Sequence, residues 1–259
     1  MKSGTGTAAG SRLQRHHFEY RDTIVTVIGD SRYFDAADRS LMRSRNELED
    51  YIQGDPVFLE THDPHVPVSG AGPLAIRMAH EAAKAGVGPM AAVAGAFAED
   101  CLFDMIRAGA EEAIVDNGGD IAFLVRRSVR VGIYAGVSAI SGLAFEVEPR
   151  LEPFGICTSS GTVGPSFSYG RADAAVVVSP NTVLADAAAT ALGNRVRSVD
   201  DLGTCFDFME SMDEIEGALV VLGDRIALWG KLPRIVKAEV DAELITRGRK
   251  NRNADAAPR

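Results

Sequence analysis

A helix-spaced pair of oxygen-bearing side chains is the first candidate for chemistry in this sequence. Asp186 and Thr190 lie four residues apart in the alanine-rich stretch 185–191, so a helix would present both on one face. A carboxylate and a hydroxyl are hard ligands of the kind that Mg²⁺ prefers, and Mg²⁺ often completes its shell with phosphate oxygens and water. The same spacing also fits a buried hydrogen bond between the two side chains, so both interpretations stay open.

Two turns that contain glycine are candidates for contact with a nucleotide. Residues 117–120 hold two adjacent glycines, which expose backbone N–H groups to a pyrophosphate or a flavin ring. Residues 157–164 hold four hydroxyls and two glycines after an apolar strand. The alternatives are an ordinary hairpin and an ordinary hydroxyl-rich turn.

The elements that must position these residues follow from hydrophobic patterning and from helix signals. Short β-branched runs such as 24–28 and 174–178 predict strands, and the spacing of apolar residues over 35–52 predicts an amphipathic helix. Pro73 and Pro89 are suited to open helices, Ser179 to cap the helix that carries Asp186, and a further helix is expected near 199–212. Strands and helices do not alternate strictly, which favours an α+β fold with a mixed β-sheet core and packed helices.

The domain organisation expected from these patterns is simple. Residues 17–240 form one α+β domain, residues 1–16 a flexible N-terminal arm, and residues 241–259 a disordered basic tail. The chain of 259 residues is long enough to bury a core without disulfides. Its three cysteines are scattered among apolar neighbours, so we expect buried thiols and a reducing compartment.

Charge and hydropathy exclude several classes of function. The net charge of −9 argues against nucleic-acid binding, although a local site can still bind a phosphorylated small molecule. No run of 18 apolar residues is present, so we expect no membrane partner. The first residues lack the apolar stretch of a secretory signal, which predicts a cytoplasmic protein.

Four segments in order resemble motifs of the ApbE superfamily. They are 91–100 (AAVAGAFAED), 113–121, 158–161 and 185–191. The characterised members of that superfamily are Mg²⁺-dependent FAD:protein FMN transferases with a T-fold-related architecture. The resemblance implies that Mg²⁺ is held by Asp186, Thr190 and the backbone carbonyl of Ala94. It also implies that the two glycine-containing turns contact a flavin nucleotide, FAD or FMN. The binding residues implied in this way are Asn117, Gly118, Gly119, Asp120, Thr158, Ser159 and Gly161.

Two departures from the transferase pattern leave several functions open. Gly95 stands where the family motif has lysine, and the interval 163–171 lacks the family's histidine and Asp-Pro. The chain therefore resembles a compact, cytoplasmic (UPF-type) branch. It would act on the FAD pyrophosphate by FMN transfer or hydrolysis, bind flavin without catalysis, or use the fold for another small molecule. Asp120 and Asp173 are candidate bases, and the helices with small residues leave room for a homodimer.

Overall fold

The fold is known from a computed structural model that describes residues 13–136, 140, 142–160 and 170–238. It contains five α-helices among these residues: α1 (Phe34–Gly54), α2 (Pro56–Glu60), α3 (Pro73–Ala85), α4 (Val93–Arg107) and α5 (Thr182–Arg195). The strands are β1 (Gln14–Tyr20), β2 (Thr23–Gly29), β3 (Ala113–Asn117), β4 (Asp120–Leu124), β5 (Val129–Ile133), β6 (Leu143–Val147), β7 (Phe154–Ser159), β8 (Ala174–Ser179), β9 (Gly217–Leu222), β10 (Arg225–Gly230) and β11 (Arg234–Lys237).

These strands form two sheets. The larger has eight strands in the order β1-β2-β3-β4-β7-β8-β9-β10, and the smaller has three in the order β11-β6-β5. The α+β class is confirmed. Every pairing described between strands is antiparallel, where a mixed sheet was expected. Most neighbouring strands are also consecutive in the chain, and tight turns join the pairs β1–β2, β3–β4 and β9–β10, which makes these pairs antiparallel.

Three layers result from the two sheets and the helices. The helices cover one face of the large sheet with a core that includes Leu41, Met78 and Leu102. The small sheet covers part of the other face, where the rings of Phe123 and Phe154 stack 5.0 Å apart. Side chains alternate between the two faces of a strand. Asp120, the first residue of β4, and Ser159, the last residue of β7, lie on the face that the helices cover.

Local signals account for most of the helix boundaries. Helix α3 begins at Pro73, as predicted, and Gly86 ends it in the left-handed conformation with φ 73°. Helix α5 begins two residues later than expected from Ser179. Its N-cap is Asn181, whose side chain accepts a hydrogen bond from Leu184 N at 3.0 Å. Ser179 ends β8, and its hydroxyl donates to the carbonyl of Glu214.

Three sequence predictions differ from the structure or fall outside it. Strand β1 begins at Gln14, within the predicted arm, because His16 stacks on Phe34 and pairs with Asp38 on α1. The rest of that arm up to residue 12 and the predicted tail 241–259 lie outside the described residues. The helix expected over 199–212 is instead two short 3₁₀ helices, Val199–Gly203 and Asp207–Met209. No helix in the described part of the chain is both long and apolar enough to cross a membrane.

Candidate functional site

The Gly-Gly turn joins β3 to β4 and contacts the first turn of α4. Asn117 pairs with Asp120, and the two residues between them, Gly118 and Gly119, have φ of 73° and 107°. Two consecutive positive φ values require glycine or a similarly permissive residue in a two-residue hairpin. The Asn117 side-chain amide donates to the carbonyl of Ala94 at 3.1 Å. The hairpin prediction is thus confirmed, and the turn also touches the predicted carbonyl ligand.

Asp186 lies where α4 and α5 cross. Its side chain is buried, with 7% of the residue exposed, and Oδ2 accepts a hydrogen bond from Gly95 N at 2.8 Å. A Cβ atom added at Gly95 would lie 2.5 Å from Thr182 O and 2.7 Å from Asp186 Cβ. The two helix backbones therefore touch at Gly95, and no side chain fits there. This contact explains why glycine occupies the position at which the transferase motif has lysine.

A second carboxylate lies beside Asp186. Asp120 Oδ1 accepts a hydrogen bond from Thr158 N at 3.3 Å. Burial raises the pKa of Asp120, and the nearby charge of Asp186 raises this pKa further. Burial also raises the pKa of Asp186 to about 7, against the opposing effect of the Gly95 and Ala94 N–H groups. A buried and a half-buried carboxylate that interact in this way favour either a bound proton or a bound cation.

Part of the hydroxyl-rich segment 157–164 lies next to this site. The Ser159 hydroxyl faces α5, since a Cβ added at Gly193 would lie 3.5 Å from its Oγ. Strand alternation puts the Thr158 side chain on the opposite face, so Thr158 offers its N–H group to Asp120 rather than its hydroxyl to the site. Gly161 lies outside the described residues. Thr190 is half-buried and lies one turn beyond Asp186 on α5.

Four groups around α4 and α5 carry oxygen atoms of the kind that a hard cation takes. They are the Asp186 and Asp120 carboxylates, the Ala94 carbonyl and the Thr190 hydroxyl on the same helix face. The Ala94 carbonyl accepts from the Asn117 amide and, as a residue of the first turn of α4, also accepts from the amide one turn further along its own helix. Among the described residues, no three His, Cys, Asp or Glu side chains form a metal-binding group. Carboxylate, carbonyl and hydroxyl oxygens are the donor set that Mg²⁺ prefers.

Asp173 and Cys157, two further residues considered in the sequence analysis, make contacts that stabilise the fold. Asp173, a candidate base, accepts a hydrogen bond from Gly223 N at 2.7 Å and so supports the turn between β9 and β10. Cys157 is buried, its thiol donates to the carbonyl of Thr182, and burial raises its pKa. The other two cysteines are also free and buried, which confirms the prediction of buried thiols.

Glu99 is the site residue that the sequence did not single out. It is buried on α4, with 7% of the residue exposed, and its Oε2 accepts a hydrogen bond from Thr182 N at 2.8 Å. The signal available in the sequence was a glutamate one turn after Gly95, at the end of a stretch of small and apolar residues and directly before Asp100. An acid at such a position must find partners inside the protein.

A further buried network joins the end of α1 to the connector before α3. Asp55, 4% exposed, accepts hydrogen bonds from the Tyr51 hydroxyl at 2.6 Å and pairs with His65 at 2.8 Å. The Tyr51 hydroxyl in turn accepts from Val68 N at 3.0 Å. His65 thereby fixes the connecting loop to the helix layer.

Solved structures with a similar fold define the class. A Pseudomonas stutzeri flavinyl transferase ApbE in its apo form has a TM-score of 0.54 at 12% identity, covering 92% of this chain and 98% of that one. A Thermotoga maritima ApbE protein has a TM-score of 0.51 at 12% identity, covering 92% of this chain and 100% of that one. At such low identity these likenesses establish the fold alone, and the fold is that of the ApbE-like superfamily.

Sequence comparisons define the family within this class. The family described as "AbpE bacteria" matches residues 6–204. A UPF0280 protein of Methanocella arvoryzae is 50% identical over 231 residues, covering 89% of this chain and 94% of that protein. One from Methanoculleus marisnigri is 49% identical over 236 residues, covering 90% and 96%. The chain belongs to the UPF0280 branch of the ApbE-like superfamily.

Proposed function

We propose that this protein binds a flavin nucleotide, FAD or FMN, together with Mg²⁺. The observation that carries the proposal is the proximity of two carboxylates, the buried Asp186 and the half-buried Asp120, at the start of α4 and beside the Gly-Gly hairpin. Repulsion between the two negative charges destabilises the folded protein unless a cation or a proton is bound. The description of the Pseudomonas stutzeri neighbour as a flavinyl transferase supports a flavin as the ligand.

Each part of the site has a role in this proposal. Asp186, Thr190 and the Ala94 carbonyl would hold Mg²⁺, and Asn117 fixes the orientation of that carbonyl through its amide. The hairpin at Gly118 and the hydroxyl of Ser159 would contact the nucleotide from either side. Mg²⁺ bound there would supply positive charge to the pyrophosphate oxygens.

The bond that the reaction would break in bound FAD is the phosphoanhydride. Its cleavage by a protein hydroxyl would transfer FMN, and its cleavage by water would be hydrolysis, with AMP as the other product in both cases. Asp120 is the better-placed candidate to accept the proton of the attacking group, because its pKa is raised and it faces the site. Asp173 is held by Gly223 in a turn, which argues against that role.

A second candidate function is flavin binding without turnover. The contact at Gly95 favours it, because the closely packed α4 and α5 leave no room for a cationic side chain at this position. A site without that charge would have a weaker means of stabilising a leaving phosphate. Reuse of the fold for another small molecule remains the third alternative.

Incubation of the purified protein with FAD, with and without Mg²⁺, separates these functions. Free and bound nucleotides would be resolved by chromatography for the wild type, for Asp186→Ala, and for Asp201→Ala as a control. Asp201 also accepts backbone hydrogen bonds at the start of a short helix, but it lies on the surface. We expect Asp186→Ala to lose Mg²⁺-dependent retention of FAD and Asp201→Ala to keep it.

The products then identify the function. AMP that forms only with Mg²⁺ and disappears in Asp186→Ala would establish action on the pyrophosphate. Intact FAD retained without AMP would establish binding without turnover. Neither retention nor product in the wild type would refute the flavin proposal and favour a different small molecule.

A further inference from the structure

Two carboxylates connect α4 and α5 in opposite directions. Asp186, on the second turn of α5, accepts from the amide of Gly95 in the first turn of α4. Glu99, on the second turn of α4, accepts from the amide of Thr182, the first residue of α5. Amides in the first turn of a helix have no partner within their own helix. Each helix therefore supplies the acceptor that the other needs at its start.

The carboxylates of Asp186 and Glu99 differ in their other neighbours. Asp186 also lies beside Asp120, in the region where a cation would bind. Glu99 has Arg77 on α3 among its neighbours, with Arg77 Nε 4.0 Å from Glu99 Oε1. A cation bound at Asp186 would share that carboxylate with the Gly95 amide. The cation site proposed above does not include Glu99, so its bond to the Thr182 amide would act on the site through the backbone of α5.

The geometry of α5 links Glu99 to the site. Thr182, Asp186 and Thr190 follow at intervals of four residues, so they lie along one face of the helix. A shift or rotation at Thr182 would move both predicted ligands together. We propose that Glu99 is a positioning residue that holds the first amide of α5 and thereby keeps Asp186 and Thr190 directed at Mg²⁺ and the nucleotide. This inference rests on the proposed function.

The chain offers a matched control for this role. Glu47 on α1 accepts a hydrogen bond from Leu74 N at 3.2 Å, so it also fixes the first turn of a helix, α3, from a neighbouring helix. Glu47→Val and Glu99→Val thus remove the same kind of bond at two places. Glu99→Gln keeps an oxygen acceptor in a side chain of the same size and removes the charge.

The test titrates Mg²⁺ against FAD retention in the full-length protein and follows hydrogen exchange at the Thr182 amide. We expect Glu99→Val to weaken Mg²⁺-dependent retention about 10–100-fold, as for other residues that orient metal ligands, and to speed exchange at Thr182. Glu99→Gln should weaken it about fivefold, the usual difference between a charged and a neutral acceptor. Glu47→Val should lower the melting temperature and leave the Mg²⁺ dependence unchanged.

Three other results would contradict the proposal, and each can be distinguished from the others. Wild-type Mg²⁺ dependence in Glu99→Val, with a lowered melting temperature as in Glu47→Val, would make Glu99 purely structural. If Glu99→Val does not fold, unchanged Mg²⁺ dependence in Glu99→Gln overturns the proposal in the same way. If the wild type retains no FAD at any Mg²⁺ concentration, the proposed function itself fails, and the positioning role fails with it.

Discussion

Replacement of Gly95 by alanine tests the crossing of α4 and α5 most directly. The added Cβ would lie 2.5 Å from Thr182 O and 2.7 Å from Asp186 Cβ, and neither atom can move by rotating a side chain. The helices must therefore separate. Separation lengthens the bond between the Gly95 amide and Asp186, which is 2.8 Å in the native fold. The substitution should damage packing and the candidate site together.

The size of the effect follows from three contributions. Forced overpacking of a core costs about 1–3 kcal/mol, and loss of a hydrogen bond to a charged acceptor costs about 1.5–3 kcal/mol. The better helix propensity of alanine returns about 1 kcal/mol. The free energy of unfolding should fall by about 2–5 kcal/mol, which lowers the melting temperature of a domain of this size by roughly 4–20 °C.

Urea denaturation of the wild type, Gly95→Ala and Gly54→Ala measures this effect. Gly54 is the last residue of α1, and a Cβ added there meets nothing within 4 Å, so Gly54→Ala should be neutral or stabilising by up to about 1 kcal/mol. Gly95→Ala should also lose Mg²⁺-dependent retention of FAD. A free energy of unfolding for Gly95→Ala equal to that of Gly54→Ala would refute the close crossing of the two helices.

Three further predictions concern the buried polar groups. In a chelator, the free energy of unfolding should fall as pH rises from 4 to 7, by up to roughly 4 kcal/mol, because the folded state retains the Asp186 proton up to a pKa of about 7. Asp186→Asn should flatten this slope in urea titrations at a series of pH values, and an unchanged slope would contradict the assignment. Asn117→Ala should weaken Mg²⁺-dependent FAD retention about tenfold or more in equilibrium dialysis, because the carbonyl at the start of α4 loses its donor; wild-type retention would argue against a role for that carbonyl. Asp55→Ala should cost about 3 kcal/mol in urea denaturation, because Tyr51 and His65 lose their acceptor; a cost below about 1 kcal/mol would make the network unimportant for stability.

The parts of the fold that the sequence predicts well are those fixed by local chemistry. Pro73 and Gly86 mark the ends of α3, and two adjacent glycines predict the hairpin after Asn117. The alanine-rich stretch around Asp186 predicts α5 and the face that Thr190 shares with it. Each of these signals acts within a few residues of the feature that it specifies.

The parts that the sequence does not predict depend on distant contacts. Nothing near Glu99 in the chain indicates that its partner is Thr182, and the spacing around Asp186 does not reveal that Asp120 lies beside it. The contacts of His16 in β1 with Phe34 and Asp38 on α1 also join residues far apart in the chain. Such contacts exist only after the helices and sheets have packed, so no local pattern specifies them.

The arrangement of the small sheet has a consequence for synthesis on the ribosome. Its central strand, β6, pairs with β11, so that Arg234 lies opposite Glu146 in the completed sheet. A nascent chain that ends before residue 234 already contains every strand of the large sheet but only the hairpin of β5 and β6 to cover its outer face. A lone two-stranded hairpin is marginally stable, so the apolar face that includes Phe123 and Phe154 would be poorly protected. The last part of the domain to be translated thus closes a surface that would otherwise favour aggregation.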